Sequence, residues 1–390
     1  MNADRFDPDV LVAQACELAG SDDFGAPDGW RDDLALLADG LVTEAHLSDL
    51  GVEIAVMDLV GPLTNRLRIT QWRKENPDIA AAPIERPIFI VGQPRTGTTI
   101  LFDLLAQDPD LRPPLTWEVD APWPVPRPET YGTDPRIAQI QANLEMSEQI
   151  VPGLLTHHPM GALLPQECVR IWAGQFCSMI FPVQYRLPTY SRWLLYDADH
   201  RNAYRYHRIF LQHLQSGVSG QWLLKSPAHL WQLDTLVGEY PDAVIVQTHR
   251  DPLNVISSIA ALTQHVRRLA SDHSDIGECA RQSCEEIVVG LERSMKVRDS
   301  GVLAPGQLID VQFADFILDP FATIRELYVA MGRELTPLAE QRMRDFLAAH
   351  PGDGGGARYR WSDTGLDADE VREQVAGYQA RFGVPTEALK

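Results

Sequence analysis

The sequence predicts an α/β protein with a parallel β-sheet flanked by helices, and three observations carry that prediction. Short β-rich runs alternate with helical stretches from Ile88 onward, a glycine loop follows the first of these runs, and an apolar helix starting at Ile100-Leu101 follows that loop. The runs read as strands are Ile88–Val91, Trp222–Leu224, Ala243–Thr248 and Leu308–Gln312. The helical patterns that follow them are Thr98–Gln107, His229–Glu239, Leu253–Ala270 and Phe321–Met331. Right-handed crossovers then put helices on both faces of the sheet, and ligands bind beyond the carboxyl ends of its strands.

Residues 1–85 read as a helical N-terminal extension. Asp7 and Pro8 form a cap and first position, Leu11, Ala15 and Leu18 follow at helical spacing, and Trp30–Leu41 and Leu47–Thr70 repeat the pattern. The Pro83–Pro87 stretch punctuates the join to an α/β domain over 86–390. Between the first two strands, about 108–221 is too long for a loop and reads as a helical insertion on the acceptor side, with helices at Pro135–Gln149 and Asp199–Leu214. It is rich in aromatics, among them Trp117, Phe181, Tyr190 and Phe210; most read as core and a few as the lining of an acceptor pocket. Asp367–Phe382 reads as an amphipathic helix with its acidic residues first and Arg381 near its end, as the helix dipole prefers.

Composition narrows the function classes. The 390 residues are 45% hydrophobic and 23% charged, ordinary for a globular protein able to bury a core without staples. Against 34 Lys+Arg stand 54 Asp+Glu, a net charge of −20 that disfavours nucleic acid and polyanionic acceptors. Any anionic ligand must therefore meet a local cluster of positive groups. The five cysteines fit neither a paired framework nor a zinc spacing, which points to reduced thiols. The opening MNADRFDPDV has no signal-peptide character and no apolar run approaches about 18 residues, so the expectation is a cytoplasmic protein without a membrane span. The pattern specifies no oligomeric state.

The loop Gly92-Gln93-Pro94-Arg95-Thr96-Gly97-Thr98-Thr99 lies between a strand and an apolar helix, a geometry that aims backbone N–H groups and a helix N-terminus at a phosphate. Its Gly-x4-Gly spacing is P-loop-like, which makes the predicted sheet P-loop-like too. One residue departs from the nucleotide-triphosphatase pattern: Thr98 stands where Lys follows the second glycine, and the positive charge is Arg95, inside the loop. An Arg there forks onto a phosphate and the group beyond it, which suits a monophosphate carrying a transferable group better than a metal-bound triphosphate. A second anion site is expected where Arg250 ends a strand and Ser258 follows eight residues later on a helix. Two anion sites on one sheet edge suit a nucleotide with a 5′ phosphate and a second ribose phosphate.

These motifs resemble those of the sulfotransferases that use 3′-phosphoadenosine-5′-phosphosulfate (PAPS). The Pro94–Thr99 stretch is similar to their 5′-phosphosulfate loop and the Arg250…Ser258 spacing to their 3′-phosphate site. The segment from Trp222 through Lys225, Ser226 and Pro227 to His229 resembles a third stretch of the bacterial and tyrosylprotein branches. The run Arg358-Tyr359-Arg360-Trp361, followed by Thr364 to Asp367, resembles bacterial members. The resemblance covers about Arg86 to Gly383. The Lys-Thr-His stretch that carries the base in the cytosolic small-molecule branch is not visible here.

The resemblance implies a PAPS-dependent enzyme that needs no metal, releases 3′-phosphoadenosine-5′-phosphate (PAP) and sulfates a hydroxyl of a small-molecule or glycan acceptor. It assigns Arg95 to the 5′ phosphate and bridging oxygen, Thr96, Gly97, Thr98 and Thr99 to the phosphate cradle, Arg250 and Ser258 to the 3′ phosphate, and Lys225 to the transferring sulfuryl group. For the base, Glu118 lies 23 residues after Arg95, a distance at which some similar branches place a catalytic Glu; His157, His158 and Glu167 are the alternatives. The glycine-rich 351–356 segment before Arg358 suggests a lid that brings this Arg over the cofactor phosphates. Rival readings are a P-loop kinase or NTPase, which needs Mg²⁺ and a forward Lys, and a non-catalytic nucleotide-binding protein.

Overall fold

The computed structural model describes residues 3–157, 159–350 and 359–389. The chain forms two compact units, each built from three separate stretches. One comprises 1–84, 115–219 and 263–274; the other comprises 85–114, 220–262 and 275–390.

The second unit contains the sheet. Its strands are β1 (Ile88–Gly92), β2 (Leu111–Arg112), β3 (Gln221–Lys225), β4 (Val244–His249) and β5 (Leu308–Gln312), all parallel, in the order β2-β3-β1-β4-β5. β1 is central and fully buried, which is why it reads as an uninterrupted apolar run. Alternate side chains go to opposite faces. Ile88 and Ile90 join Leu101, Phe102, Phe316, Ile324 and Tyr328 in one core. Phe89 packs instead on His229 and Tyr240, at ring-centroid distances of 4.9 and 5.2 Å. A further core forms where Leu253, Ile256, Ile287 and Leu291 meet Val371, Val375 and Tyr378 of the C-terminal helix Ala368–Phe382.

The predicted strands are present within a residue or two of the expected ends. β2 was not anticipated: two residues carry no periodic signal, and it exists because Leu111 and Arg112 pair with Gln221 and Trp222. The guanidinium of Arg112 lies over the Trp222 ring at 4.2 Å. The stretch His229–Glu239, expected as one helix, is a 3₁₀ turn (Pro227–Trp231) followed by a helix (Leu233–Glu239). Pro227 sits at the first position of that turn and Ser226 caps it by accepting from the Ala228 N–H.

The first unit is helical. Its longer helices are Pro8–Ala19, Trp30–Thr43, Asp49–Glu75, Pro135–Ile150, Pro188–Tyr196 and Arg201–Gln215. Asp7 caps the first as the sequence suggests, accepting from the Asp9 N–H at 2.8 Å. At its centre the fully buried Arg66 donates to the carbonyls of Phe24 (2.8 Å), Gly25, Pro27 and Gly174 and to Gln175 Oε1 (2.9 Å). Its guanidinium lies 4.9 Å from the centroid of the Tyr206 ring. One cation thus satisfies carbonyls from an irregular loop and from the 3₁₀ turn Ala173–Gln175. Burial pulls its pKa down, opposed by Tyr206 and Asp28, and the accepting oxygens stand in for the water the guanidinium has lost. Most of the aromatics are core: Tyr190 donates to the Phe176 carbonyl at 2.7 Å, and Trp172 packs on Tyr204. Phe181, Tyr206 and Phe210 also border a cavity of about 140 Å³ beside Asp58, Asp120 and Arg170.

Removing the guanidinium leaves several buried carbonyls without donors, each worth roughly 1–3 kcal/mol. Arg66→Ala is therefore expected to lose about 3 kcal/mol or more of stability in a urea unfolding titration. An unchanged midpoint would show that water replaces the side chain freely.

Candidate active site

β1 ends in Gly92, whose φ of 134° suits only glycine. A β-carbon there would lie 2.2 Å from Thr248 Oγ1 and 2.9 Å from the Thr248 carbonyl oxygen. The close approach lets the loop seat itself on β4. Thr96 donates to the Gln93 carbonyl at 2.6 Å, and its hydroxyl lies 2.5 Å from that of Thr248. The Thr248 hydroxyl also reaches the Val91 carbonyl at 3.4 Å. Gln93 itself donates to the Ile287 carbonyl at 3.1 Å. Gly97, at φ 83°, is the N-cap of helix Thr98–Leu105, and a β-carbon there would press on the Phe313 ring at 3.0 Å. The first intrahelical bond runs from Leu101 N–H to Gly97 O, so the N–H groups of Thr98, Thr99 and Ile100 are the helix's unspoken-for donors to the loop.

Arg95 sits at the turn with φ 64°, a left-handed conformation that a non-glycine residue adopts at a cost. Ser258 and Arg250 help hold it there. Arg95 Nε donates to Ser258 Oγ at 3.1 Å, and its carbonyl accepts from Arg250 Nη1 at 2.9 Å. The residues expected to serve two separate anion sites are thus joined in one hydrogen-bonded constellation. Arg250 also lies over the Phe313 ring at 4.2 Å. On the other side of β1, Lys225 is buried at the carboxyl end of β3, in register with Ile90, and its Nζ donates to Thr99 Oγ1 at 3.3 Å. Arg95, Thr96, Gly97, Thr98, Thr99, Lys225, Arg250 and Ser258 all belong to the sheet unit.

Just upstream of Arg250, His249 donates from or accepts at both ring nitrogens, with Tyr378 Oη at 2.9 Å and Asp310 at 2.8 Å. Burial lowers the pKa of His249; burial also works to raise Asp310, but its hydrogen bonds with His249 and Arg298 outweigh this and hold it down at about 2. This cluster ties the end of β4 to β5 and to the C-terminal helix.

Glu118 lies in the helical unit, on the short helix Thr116–Asp120. It is fully buried, and its Oε1 accepts from the Leu115 N–H at 2.9 Å and from Tyr131 Oη at 3.2 Å. Its neighbour Trp117 is equally buried and stacks edge-on against Tyr131, while its indole Nε1 has no hydrogen-bond partner among the described residues. Glu167 precedes the helix Cys168–Trp172, and His157 ends the helix Leu154–His157. His158, the 351–356 segment and Arg358 lie outside the described residues. Sequence reasoning missed Thr248, whose hydroxyl abuts the loop, and Glu387, whose carboxylate meets Arg250. The signal for Thr248 was its place just before His249-Arg250; nothing local marks Glu387.

A sequence-family model described as the sulfotransferase family matches residues 87–337. The chain belongs to that family. This sulfotransferase is similar over nearly its whole length to two solved mycobacterial structures. Sulfotransferase STF9 from Mycobacterium avium is 29% identical, covers 97% of each chain and superposes with a TM-score of 0.88. Sulfotransferase STF1 from Mycobacterium tuberculosis is 32% identical, with 95% of this chain and 98% of that one covered and a TM-score of 0.82. The omega-hydroxy-beta-dihydromenaquinone-9 sulfotransferase Stf3 of Mycobacterium bovis is 27% identical over 282 residues, 68% of this chain and 67% of that protein. No helix among the described residues is long and apolar enough to cross a membrane.

The close approach at Gly92 yields a local test. Gly92→Ala forces β1 and β4 apart at the loop and is expected to lower stability by roughly 2–4 kcal/mol. Gly132→Ala, where a β-carbon meets open space, is expected to change it by less than about 0.5 kcal/mol. Thermal unfolding of the two variants side by side checks this, and equal midpoints would contradict the packing argument.

Proposed function

We propose that this sulfotransferase moves a sulfuryl group from PAPS to a hydroxyl of a small-molecule acceptor by metal-independent in-line transfer. The observation that carries the donor reading is the loop chemistry. The positive charge sits within the turn at Arg95, Thr98 stands in the place of a triphosphatase Lys, and Arg95 is hydrogen-bonded to Ser258 of the second anion site. The nucleotide supplies the activated sulfuryl group and a phosphate oxygen as leaving group.

The chain's residues then have distinct tasks. The N–H groups at the start of helix Thr98–Leu105, with the threonine hydroxyls, cradle the 5′ phosphate. Arg95 and Lys225 stabilise the charge that builds on the bridging and sulfuryl oxygens, with Thr99 fixing the Lys225 ammonium. Arg250 and Ser258 take the 3′ phosphate. As the acceptor oxygen bonds to sulfur and the sulfur–phosphate bridge breaks, Glu118 takes the acceptor proton. The Leu115 N–H and Tyr131 Oη help fix the carboxylate's orientation. The named substrate of the Mycobacterium bovis relative, a hydroxylated menaquinone, supports a small-molecule alcohol as the acceptor class.

Thermal unfolding with PAP, with ATP plus Mg²⁺, and with each plus EDTA tests the donor. At about 100 times the dissociation constant a ligand adds about 2.7 kcal/mol of stability. The expected result is an EDTA-insensitive shift with PAP that Arg250→Ala abolishes; a shift with Mg·ATP alone would overturn the reading. Glu118→Gln is expected to lower turnover by about 10²- to 10⁴-fold while keeping the PAP shift. Full turnover in that variant would remove Glu118 from the base role.

A further inference from the structure

The second anion site already holds an anion from the chain itself. Gly383, at φ 63°, ends helix Ala368–Phe382, and residues 384–389 continue as irregular backbone. Buried Val384 anchors the start of this segment. Further along, the Glu387 N–H donates to Asp251 Oδ2 at 2.7 Å, and Asn254 Nδ2 donates to the Ala388 carbonyl at 3.1 Å. Asp251 is itself fully buried and fixed by the Leu253 N–H (3.1 Å) and Arg372 Nη1 (2.6 Å). These backbone anchors present the Glu387 carboxylate to Arg250. Nε donates to Oε1 and Nη2 to Oε2, both at 2.9 Å, and Asn254 Nδ2 adds a longer contact of 3.3 Å.

A bidentate carboxylate uses the same edge of the guanidinium that a phosphate uses. We infer that Glu387 is a tethered competitor for the nucleotide's ribose phosphate, and that the donor binds by displacing it from Arg250. This inference rests on the assignment of Arg250 to the 3′ phosphate. The geometry permits the exchange. The Glu387 side chain is 30% exposed and Arg250 only 12%, so the carboxylate can swing into water while the guanidinium stays. Arg250 holds the Arg95 carbonyl through Nη1, off the contested edge, so the loop keeps its support during the exchange. A tethered carboxylate also has a high effective concentration, which sets a threshold that a free phosphate or sulfate ion does not readily cross.

Apparent donor affinity is then reduced by the fraction of molecules with the fork open. The test is calorimetric titration of the full chain, as wild type, Glu387→Gln and Glu387→Ala, with PAP and with adenosine 5′-phosphate, which lacks the 3′ phosphate. Both variants are expected to bind PAP about 5- to 10-fold more tightly and adenosine 5′-phosphate with unchanged affinity. Unfolding midpoints without ligand identify a variant that has lost its fold, and the other variant is then read. Unchanged or weaker PAP binding in the variants, with wild type still binding PAP, overturns the competitor while the donor reading stands. Equal tightening toward both nucleotides also overturns it, since relief of general repulsion would then account for the gain. If no form binds PAP, the donor reading falls and this inference with it.

Discussion

The approach of β1 to β4 at Gly92 is the constraint on which the loop and its surroundings depend. Because no β-carbon intervenes, Thr248 comes near enough to touch Thr96, and the loop is laid on the end of the sheet instead of standing off it. Everything downstream follows from that seat. Gly97 turns the chain into the helix against Phe313, the left-handed Arg95 is held through its carbonyl and its Nε, and Lys225 reaches Thr99 from the next strand. The strain at Arg95 is local and the contacts that hold it come from β4's end and the helix after it, so loop shape is set by the sheet more than by the loop's own sequence.

How far the sequence foretells this arrangement depends on the range of the interaction. Central parallel strands are buried on both faces, so β1, β3 and β4 announce themselves as apolar runs, and the glycine loop announces itself by position between strand and helix. The cap at Asp7 is equally local and equally readable, whereas Asp367, read as the first residue of the last helix, is its N-cap. β2 is not readable, because two residues have no period and their pairing is decided by a strand more than a hundred residues later. The same holds at the site. The identities of Arg95, Arg250 and Ser258 stand out in the sequence, but their mutual hydrogen bonds span about 155 to 163 positions, and no spacing rule reports them. Glu387 sits beyond the last helix with no motif around it, so its partner could be found only in three dimensions.

The helical unit shows a different use of charge. In a chain with a net charge of −20, one buried cation, Arg66, organises carbonyls that no helix or sheet satisfies. That arrangement avoids the penalty of an isolated buried charge, because each donor meets an acceptor and the flanking Trp30 and Tyr206 rings offer their electron-rich faces. Glu118 likewise buries a polar group with partners: its Oε1 accepts from an amide and from a phenol.

The interleaving of the two units has a consequence for synthesis. The helical unit has its last stretch at residues 263–274, whereas the sheet unit still lacks β5 at that point and ends only with residue 390. A chain emerging N-terminus first can therefore complete the helical unit while the sheet waits as β1, β2, β3 and β4, with one flank of β4 still unpaired. Neither unit corresponds to a contiguous stretch of sequence, so a single pair of cuts does not separate one from the other.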